Sequence, residues 1–150
     1  GLIAVKGDPY VIEYDCRLVD PETEVVLPRL KSDILELFDG IATGTLSERD
    51  VEIDLRSAST VMMVAGGYPE NYEKGKEISL KELDEKSMLF HAGTTIKNNK
   101  VVSNGGRVIA VTSYGKNLET ALGTSYKNLE HVSFDGAYYR KDIGKDLLTK

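Results

Sequence analysis

Apolar residues fall into short runs separated by turn-forming clusters, and the spacing within each run sets the expected element. Residues 2–5 are apolar, residues 7–9 read Gly-Asp-Pro, and residues 10–15 resume as Tyr-Val-Ile-Glu-Tyr-Asp. That order predicts a β-hairpin turning at the Gly-Asp-Pro cluster. Successive side chains on a strand alternate faces. Glu13, Asp15 and Arg17 are therefore expected on one face, with Ile12 and Tyr14 on the other and Cys16 turned into the core. Asp20-Pro21-Glu22-Thr23 predicts a helix start: Asp20 caps, Pro21 suits the first helical position and Glu22 complements the positive helix end. Pro28 ends or kinks that helix within two turns. Ile34, Leu37, Phe38 and Ile41 then repeat at i, i+3, i+4, i+7, with Ser32 as the expected cap and Gly44 as the stop.

A polar stretch at 45–56, with a brief alternation at Val51, Ile53 and Leu55, marks an expected boundary between residues 1–56 and 57–150. Beyond it the pattern is strand-rich. Residues 60–65 form an apolar run cut off by Gly66-Gly67-Tyr68-Pro69, and Met88-Leu89-Phe90 forms a second. Thr95-Ile96 and Val101-Val102 flank Asn98-Asn99, a hairpin turn. Residues 107–114 make a strong strand, and Leu118, Ala121, Leu122, Ser125 and Leu129 mark one amphipathic helix. Phe134 and Tyr138-Tyr139 form the last apolar group, bent at Asp135-Gly136. The class predicted is α+β with mainly antiparallel strands.

Composition narrows the function. The chain has 150 residues, 41% hydrophobic and 29% charged, the balance of a soluble globular protein. A chain of that length buries roughly 70% of its unfolded surface and needs neither metal nor disulfide to fold. A net charge of −5 argues against broad electrostatic binding of nucleic acid or an anionic membrane. The single cysteine cannot form an internal disulfide, which suits a reducing cytoplasm. No apolar run approaches the roughly 20 residues that span a bilayer, and no signal peptide opens the chain. The first residue is Gly1 rather than Met, which admits a processed product or a piece of a longer protein.

The sharpest chemical pattern is Glu13-Tyr14-Asp15-Cys16-Arg17. Two carboxylates at i and i+2 on one strand face can converge on a hard cation, and oxygen-only ligation suits Mg²⁺ or Mn²⁺ rather than zinc. Arg17 adds a forked donor for phosphate or carboxylate. An exposed strand with charges paired across strands carries the same pattern and is the simpler reading of composition alone. The helix start at Asp20, Pro21 and Glu22 offers backbone N–H groups to an anion, or is simply a well-formed N-terminus. Asn104-Gly105-Gly106-Arg107 brings backbone close to a ligand with Arg107 as a phosphate clamp, or is a turn between strands. His91 reads as a partner-bound structural histidine, since no Ser or Cys motif accompanies it, and His131 follows a helix C-terminus, where a partial positive charge is stabilising.

At these motifs the chain resembles the glycinamide ribonucleotide synthetase (phosphoribosylamine–glycine ligase) family of the ATP-grasp superfamily. The run VIEYDCRLVDPETEVVLPRLKSDILEL is similar to the end of that family's ATP-grasp region. VMMVAGGYPENYEKGK, FHAGT, NGGRVIAVTSYG and FDGAYYRKDIG follow in the order of its C-terminal domain. The resemblance implies that residues 1–56 end an ATP-grasp domain and that residues 57–150 form a small strand-rich C-terminal domain with one long amphipathic helix. It implies an ATP-dependent ligase of purine biosynthesis joining glycine to 5-phosphoribosylamine, and a fragment inactive without the N-terminal and remaining ATP-grasp segments of the same enzyme. The family pattern Glu-x-Asn-x-Arg-x-Gly-Asp-Pro-Glu places metal ligands at Glu13 and Asp15, a catalytic arginine at Arg17, and small-substrate contacts at Asp20, Pro21 and Glu22. Asn104, Gly105, Gly106 and Arg107 fall at the phosphoribosyl end. Asp15 stands where the family has asparagine. Val19 stands where it has glycine, and would be strained there if the turn required positive φ. A non-catalytic structural module and a different ATP-grasp carboxylate–amine ligase remain the alternatives.

Overall fold

The computed structural model describes residues 1–148; the last two positions of the expected second unit, 149–150, lie outside them. Strands β1 (Leu2–Val5) and β2 (Asp8–Val11) form an antiparallel hairpin with Leu2 opposite Val11 and Val5 opposite Asp8. The turn sits at Lys6-Gly7, both with positive φ, not at Gly7-Asp8-Pro9. That conformation matches the twist of the flanking strands, and Pro9 is carried on an outer strand opposite Ala4. The strand expected through residue 15 ends at Val11. One further bond, Ile12 N–H to the Gly1 carbonyl at 2.9 Å, prolongs the pairing before the chain leaves it. With no neighbour beyond, Cys16 is exposed rather than buried in a core.

Helix α1 is a single turn, Thr23–Val26, running into a 3₁₀ turn at Leu27–Arg29 that holds Pro28. Asp20 does not cap it and Pro21 does not open it: Glu22 occupies the cap position without a side-chain bond, and the Asp20 carboxylate goes elsewhere. Val19 keeps negative φ and escapes the anticipated strain. Its carbonyl accepts from the Thr23 N–H at 2.8 Å and the Thr23 hydroxyl at 3.0 Å. Helix α2 (Ile34–Thr43) is capped by Asp33, whose carboxylate accepts from the Leu35 N–H, and closed by Gly44 at φ 72°. Ser32, one residue earlier, instead bonds the 50–52 strap, accepting from the Glu52 N–H and donating to the Asp50 carbonyl.

The centre of the molecule is a three-stranded antiparallel sheet in the order β3 (Ser57–Val64), β8 (Arg107–Gly115), β5 (Ser87–His91). Between them in sequence lie β4 (Ser79–Leu80) and the hairpin β6 (Thr94–Lys97) with β7 (Lys100–Ser103). The hairpin turns at Asn98 and Asn99, with φ of 51° and 60°, as the Asn-Asn pair predicts. Helix α3 (Leu118–Leu129) is capped by Asn117, whose side chain accepts from the Thr120 N–H. Strand β9 (Val132–Ser133) pairs with β4, and α4 (Lys145–Leu148) ends the described chain. The fold is α+β with antiparallel strands, as the pattern predicts.

Adjacent residues of β3 show how the sheet is sandwiched. Ser59 faces α3, where its hydroxyl meets Ser125 at 2.9 Å. Thr60 points to the opposite face, where Thr112 of β8 bonds both Thr60 and the Glu24 carbonyl of α1. The α3 side holds much of the core, with Val61, Met63, Ile109 and Val111 of the sheet buried together with Leu129, Val132 and Phe134. The other side carries the 20–28 segment, pinned by Thr112 and by the Tyr114 hydroxyl donating to the Pro28 carbonyl. Arg56 stacks 4.2 Å above the Tyr114 ring and forks onto Asp54, whose carboxyl it holds down at about 2.

Candidate functional site

Two groups of the candidate residues come together, each built by a different part of the fold. The first lies where the chain leaves β2. The Gly1 nitrogen donates to the Glu13 carbonyl at 2.7 Å and stands 3.7 Å from Asp15 Oδ2. A Cβ built on Gly1 would stand 3.4 Å from Glu13 Cγ and 3.8 Å from its Oε1. Both acids therefore lie against the same short stretch of backbone, and both are exposed. Arg17 is turned along the chain, Nη1 donating to the Leu18 carbonyl at 3.2 Å.

The second group joins segments far apart in sequence. Arg107, at the start of β8, reaches across 87 positions to Asp20: Nη1 donates to the Asp20 carbonyl at 3.0 Å and Nη2 stands 3.1 Å from Oδ2. The other carboxylate oxygen, Oδ1, is closed off from solvent and finds no hydrogen-bond partner among the described residues. The same holds for Glu24 Oε2. Burial pushes the Glu24 carboxyl above its usual range, and the Asp20 charge and a hydrogen bond of the protonated Glu24 to the Asp20 side chain push it further. Glu24 is a residue that sequence reasoning passed over. Its role depends on a contact with the sheet that no local pattern announces.

Beside Arg107 opens a cleft of about 410 Å³, lined by Pro21, Met62, Tyr68, Tyr138, Arg140 and others. Its walls are largely apolar, with the Arg107 and Arg140 guanidinia as its charged members. Arg140 forks onto Asp142 through Nε and Nη2. The Tyr138 hydroxyl donates to the Tyr68 carbonyl and ties the two walls together. Arg140 and Tyr138 lie in the FDGAYYRKDIG run but carry no local mark of a site.

The glycines of the 104–107 turn answer to packing. A Cβ on Gly106 would fall 2.1 Å from the Tyr68 ring, and one on Gly105 would fall 3.0 Å from Gly93 Cα. Both are required by close approach of protein to protein, and the turn they form delivers Arg107 to the cleft. The Asn104 N–H donates to the Gly93 carbonyl at 2.7 Å and fixes the other end. Of the histidines, His91 Nδ1 is 3.0 Å from the Thr94 hydroxyl and His131 Nδ1 is 2.6 Å from the Glu82 carbonyl, so both are structural partners.

Known proteins are similar to this chain along nearly its whole length. The chain is 46% identical over 144 residues to a bifunctional purine biosynthetic protein of Pichia angusta, covering 95% of this chain and 18% of that one. It is 40% identical over 151 residues to the phosphoribosylamine–glycine ligase of Halalkalibacterium halodurans, covering 100% of this chain and 35% of the relative. The crystal structure of the phosphoribosylamine–glycine ligase of Thermotoga maritima superposes with a TM-score of 0.74 at 39% identity, over 95% of this chain and 35% of that one. The chain thus spans about a third of the length of the single-function ligases it matches. Residues 58–146, which hold nearly all of the central sheet, α3 and every cleft residue but Pro21, match the family described as phosphoribosylglycinamide synthetase, C domain, and the chain belongs to that family.

Proposed function

We propose that this chain is the C-terminal part of an ATP-dependent ligase that joins glycine to 5-phosphoribosylamine, with residues 1–56 ending its ATP-grasp domain and residues 57–150 forming its C-terminal domain. The observation that carries the reading is the likeness, over nearly the whole chain, to proteins named phosphoribosylamine–glycine ligase. In such a ligase ATP phosphorylates the glycine carboxylate, and the amine of phosphoribosylamine attacks the acyl phosphate and expels phosphate. The enzyme acts in purine biosynthesis in the cytoplasm, without nucleic acid or membrane.

The division of labour among this chain's residues follows from their chemistry. Glu13 and Asp15 offer an exposed, oxygen-only donor set that fits Mg²⁺ or Mn²⁺, and they would fill two of about six positions. No cluster of three or more His, Cys, Asp or Glu occurs among the described residues, so the pair would be one half of a site completed by other segments of the enzyme, nucleotide phosphates and water. When bound there, the ion neutralises charge on the β- and γ-phosphates. Arg17 stabilises the transferred phosphoryl or the acyl phosphate. The Asp20-Pro21-Glu22 turn positions the small substrates. The turn formed by Asn104, Gly105 and Gly106 sets Arg107 to meet the phosphate of the phosphoribosyl group in the adjoining cleft. This assignment is supported by the guanidinium at the cleft wall and by a volume suited to a sugar phosphate.

The test uses the full-length enzyme. Glu13→Ala should abolish metal-dependent ADP formation in the presence of glycine and phosphoribosylamine while leaving the melting temperature unchanged, because Glu13 is exposed and unpacked. Near-normal turnover would overturn the ligand assignment. Turnover of the unaltered enzyme with another amino acid but not with glycine would point to a different carboxylate–amine ligase. The structural-module alternative predicts no nucleotide binding even when the upstream segments are present.

A further inference from the structure

The contact between Arg107 and Asp20 is closed yet poorly supported. On one side it is favourable, a forked contact to one carbonyl and one carboxylate oxygen. The two side chains are 41% and 39% exposed, however, and half-exposed ion pairs are weak. On the other side Asp20 is badly accommodated. Its Oδ1 and Glu24 Oε2 are both closed off from solvent, and the two side chains share a hydrogen bond only while Glu24 holds a proton. When Glu24 ionises that bond is lost, and two like charges with unpaired acceptors face one another. A phosphate monoester offers the same guanidinium a larger charge and a matching fork, with none of that crowding.

We propose that Asp20 occupies Arg107 as a surrogate anion in the ligand-free protein, and that a phosphomonoester entering the cleft displaces it and releases the Asp20-Pro21-Glu22 turn. The proposal rests on reading Arg107 as the phosphate contact. It makes filling of the phosphate end and placement of the substrate-positioning turn a single event. The cleft supplies the route, since Pro21 and Arg107 both line it. The strain at Asp20 and Glu24 supplies the reason that the turn is ready to leave.

Calorimetric titration of the full-length enzyme with ribose 5-phosphate tests this through two neighbouring substitutions of opposite expected sign. Asp20→Asn removes the competing charge and should tighten binding about fivefold, the size of one exposed ion pair. Glu24→Gln removes the like charge and gives Asp20 Oδ1 a donor; it should strengthen the latch and weaken binding by a similar factor. General loosening of the fold cannot produce opposite signs. Melting curves identify a variant that fails to fold, and the other still decides by its direction. Arg107→Gln should lose the ligand. If Arg107→Gln loses it while the Asp20 and Glu24 variants leave affinity unchanged or shift it the same way, the latch is overturned and the phosphate contact stands. If Arg107→Gln binds as well as the unaltered enzyme, the phosphate contact falls and the latch with it.

Discussion

At the scale of single residues, the positions that matter most in this chain are fixed by what lies across from them. Glu24 is the clearest case. Burial and the Asp20 charge raise its carboxyl in the folded protein above the value of about 4.5 that it has when exposed. A carboxylic acid with a raised folded value binds its proton more tightly in the fold than in the unfolded chain. Its ionisation therefore works against folding as pH rises through that range. Glu24→Gln should accordingly raise the melting temperature at pH 7. The gain should shrink toward pH 4, where wild-type Glu24 is protonated in the folded state. A gain independent of pH would mean that the side chain's charge is not the cause. Gly106 is fixed by sterics instead. With a Cβ only 2.1 Å from the Tyr68 ring and 3.0 Å from Tyr72, Gly106→Ala must push two packed rings aside. It should cost about 2 kcal/mol of stability in denaturant titrations, the scale of overpacking in a closed site.

At the scale of elements, legibility in the sequence tracks how local the deciding interaction is. The β6–β7 hairpin, β8 and α3 are readable because the Asn-Asn turn, the Val- and Ile-rich run and the i, i+3, i+4 spacing each act within a few residues. The cap of α2 is misread by one position because Ser32 and Asp33 are both competent caps. The choice is made by Glu52 and Asp50, twenty and eighteen residues away, which engage the Ser32 hydroxyl. Asp20 fails as a helix cap for the same reason, its carboxylate being drawn to Arg107. Of the candidate site, the acidic pair is visible as a local i, i+2 pattern, whereas the cleft and the Asp20–Glu24–Arg107 cluster exist only once β8 has paired with β3. The packing of α3 on the sheet is similarly non-local. The Ser125 hydroxyl donates to the Ser59 carbonyl at 3.0 Å and meets the Ser59 hydroxyl at 2.9 Å, with both residues buried. Removing the Ser125 hydroxyl leaves the buried Ser59 hydroxyl without its partner, whereas removing the Ser59 hydroxyl leaves Ser125 its bond to the Ser59 carbonyl. Ser125→Ala should cost about 1–2 kcal/mol and Ser59→Ala less, with the double variant costing less than their sum. Strict additivity in a thermodynamic cycle would show that the two hydroxyls do not support one another.

At the scale of the whole molecule, burial is distributed unevenly along the chain. The buried hydrophobic residues run from Val61 to Phe134, whereas among the described residues of the first 56 only Gly40 is buried. Leu2, Tyr14, Leu35, Phe38 and Leu55 are all more than half exposed, an unusual load of apolar surface for one short stretch. The chain spans about a third of the ligases it matches, and these faces are where the remainder of such an enzyme would find apolar surface to cover. What holds the first 56 residues in place here is a polar seam: Arg107 to Asp20, Thr112 to the Glu24 carbonyl and Tyr114 to the Pro28 carbonyl. A seam of that kind opens more easily than a packed core, so protection against hydrogen exchange should fall in three tiers. Amides of β8 and its partners β3 and β5 should exchange only on global unfolding. Those of residues 23–30 should exchange faster, through opening of the seam. Those of β1 and β2, exposed along their full length, should exchange orders of magnitude faster than β8. Extending the chain to include its upstream sequence should slow β1 and β2 selectively, because covering their apolar faces links hairpin opening to loss of that burial. Equal protection of β1 and β8 in the 150-residue chain would mean that the seam couples the two parts into one cooperative unit, and that the exposed faces are stable without a cover.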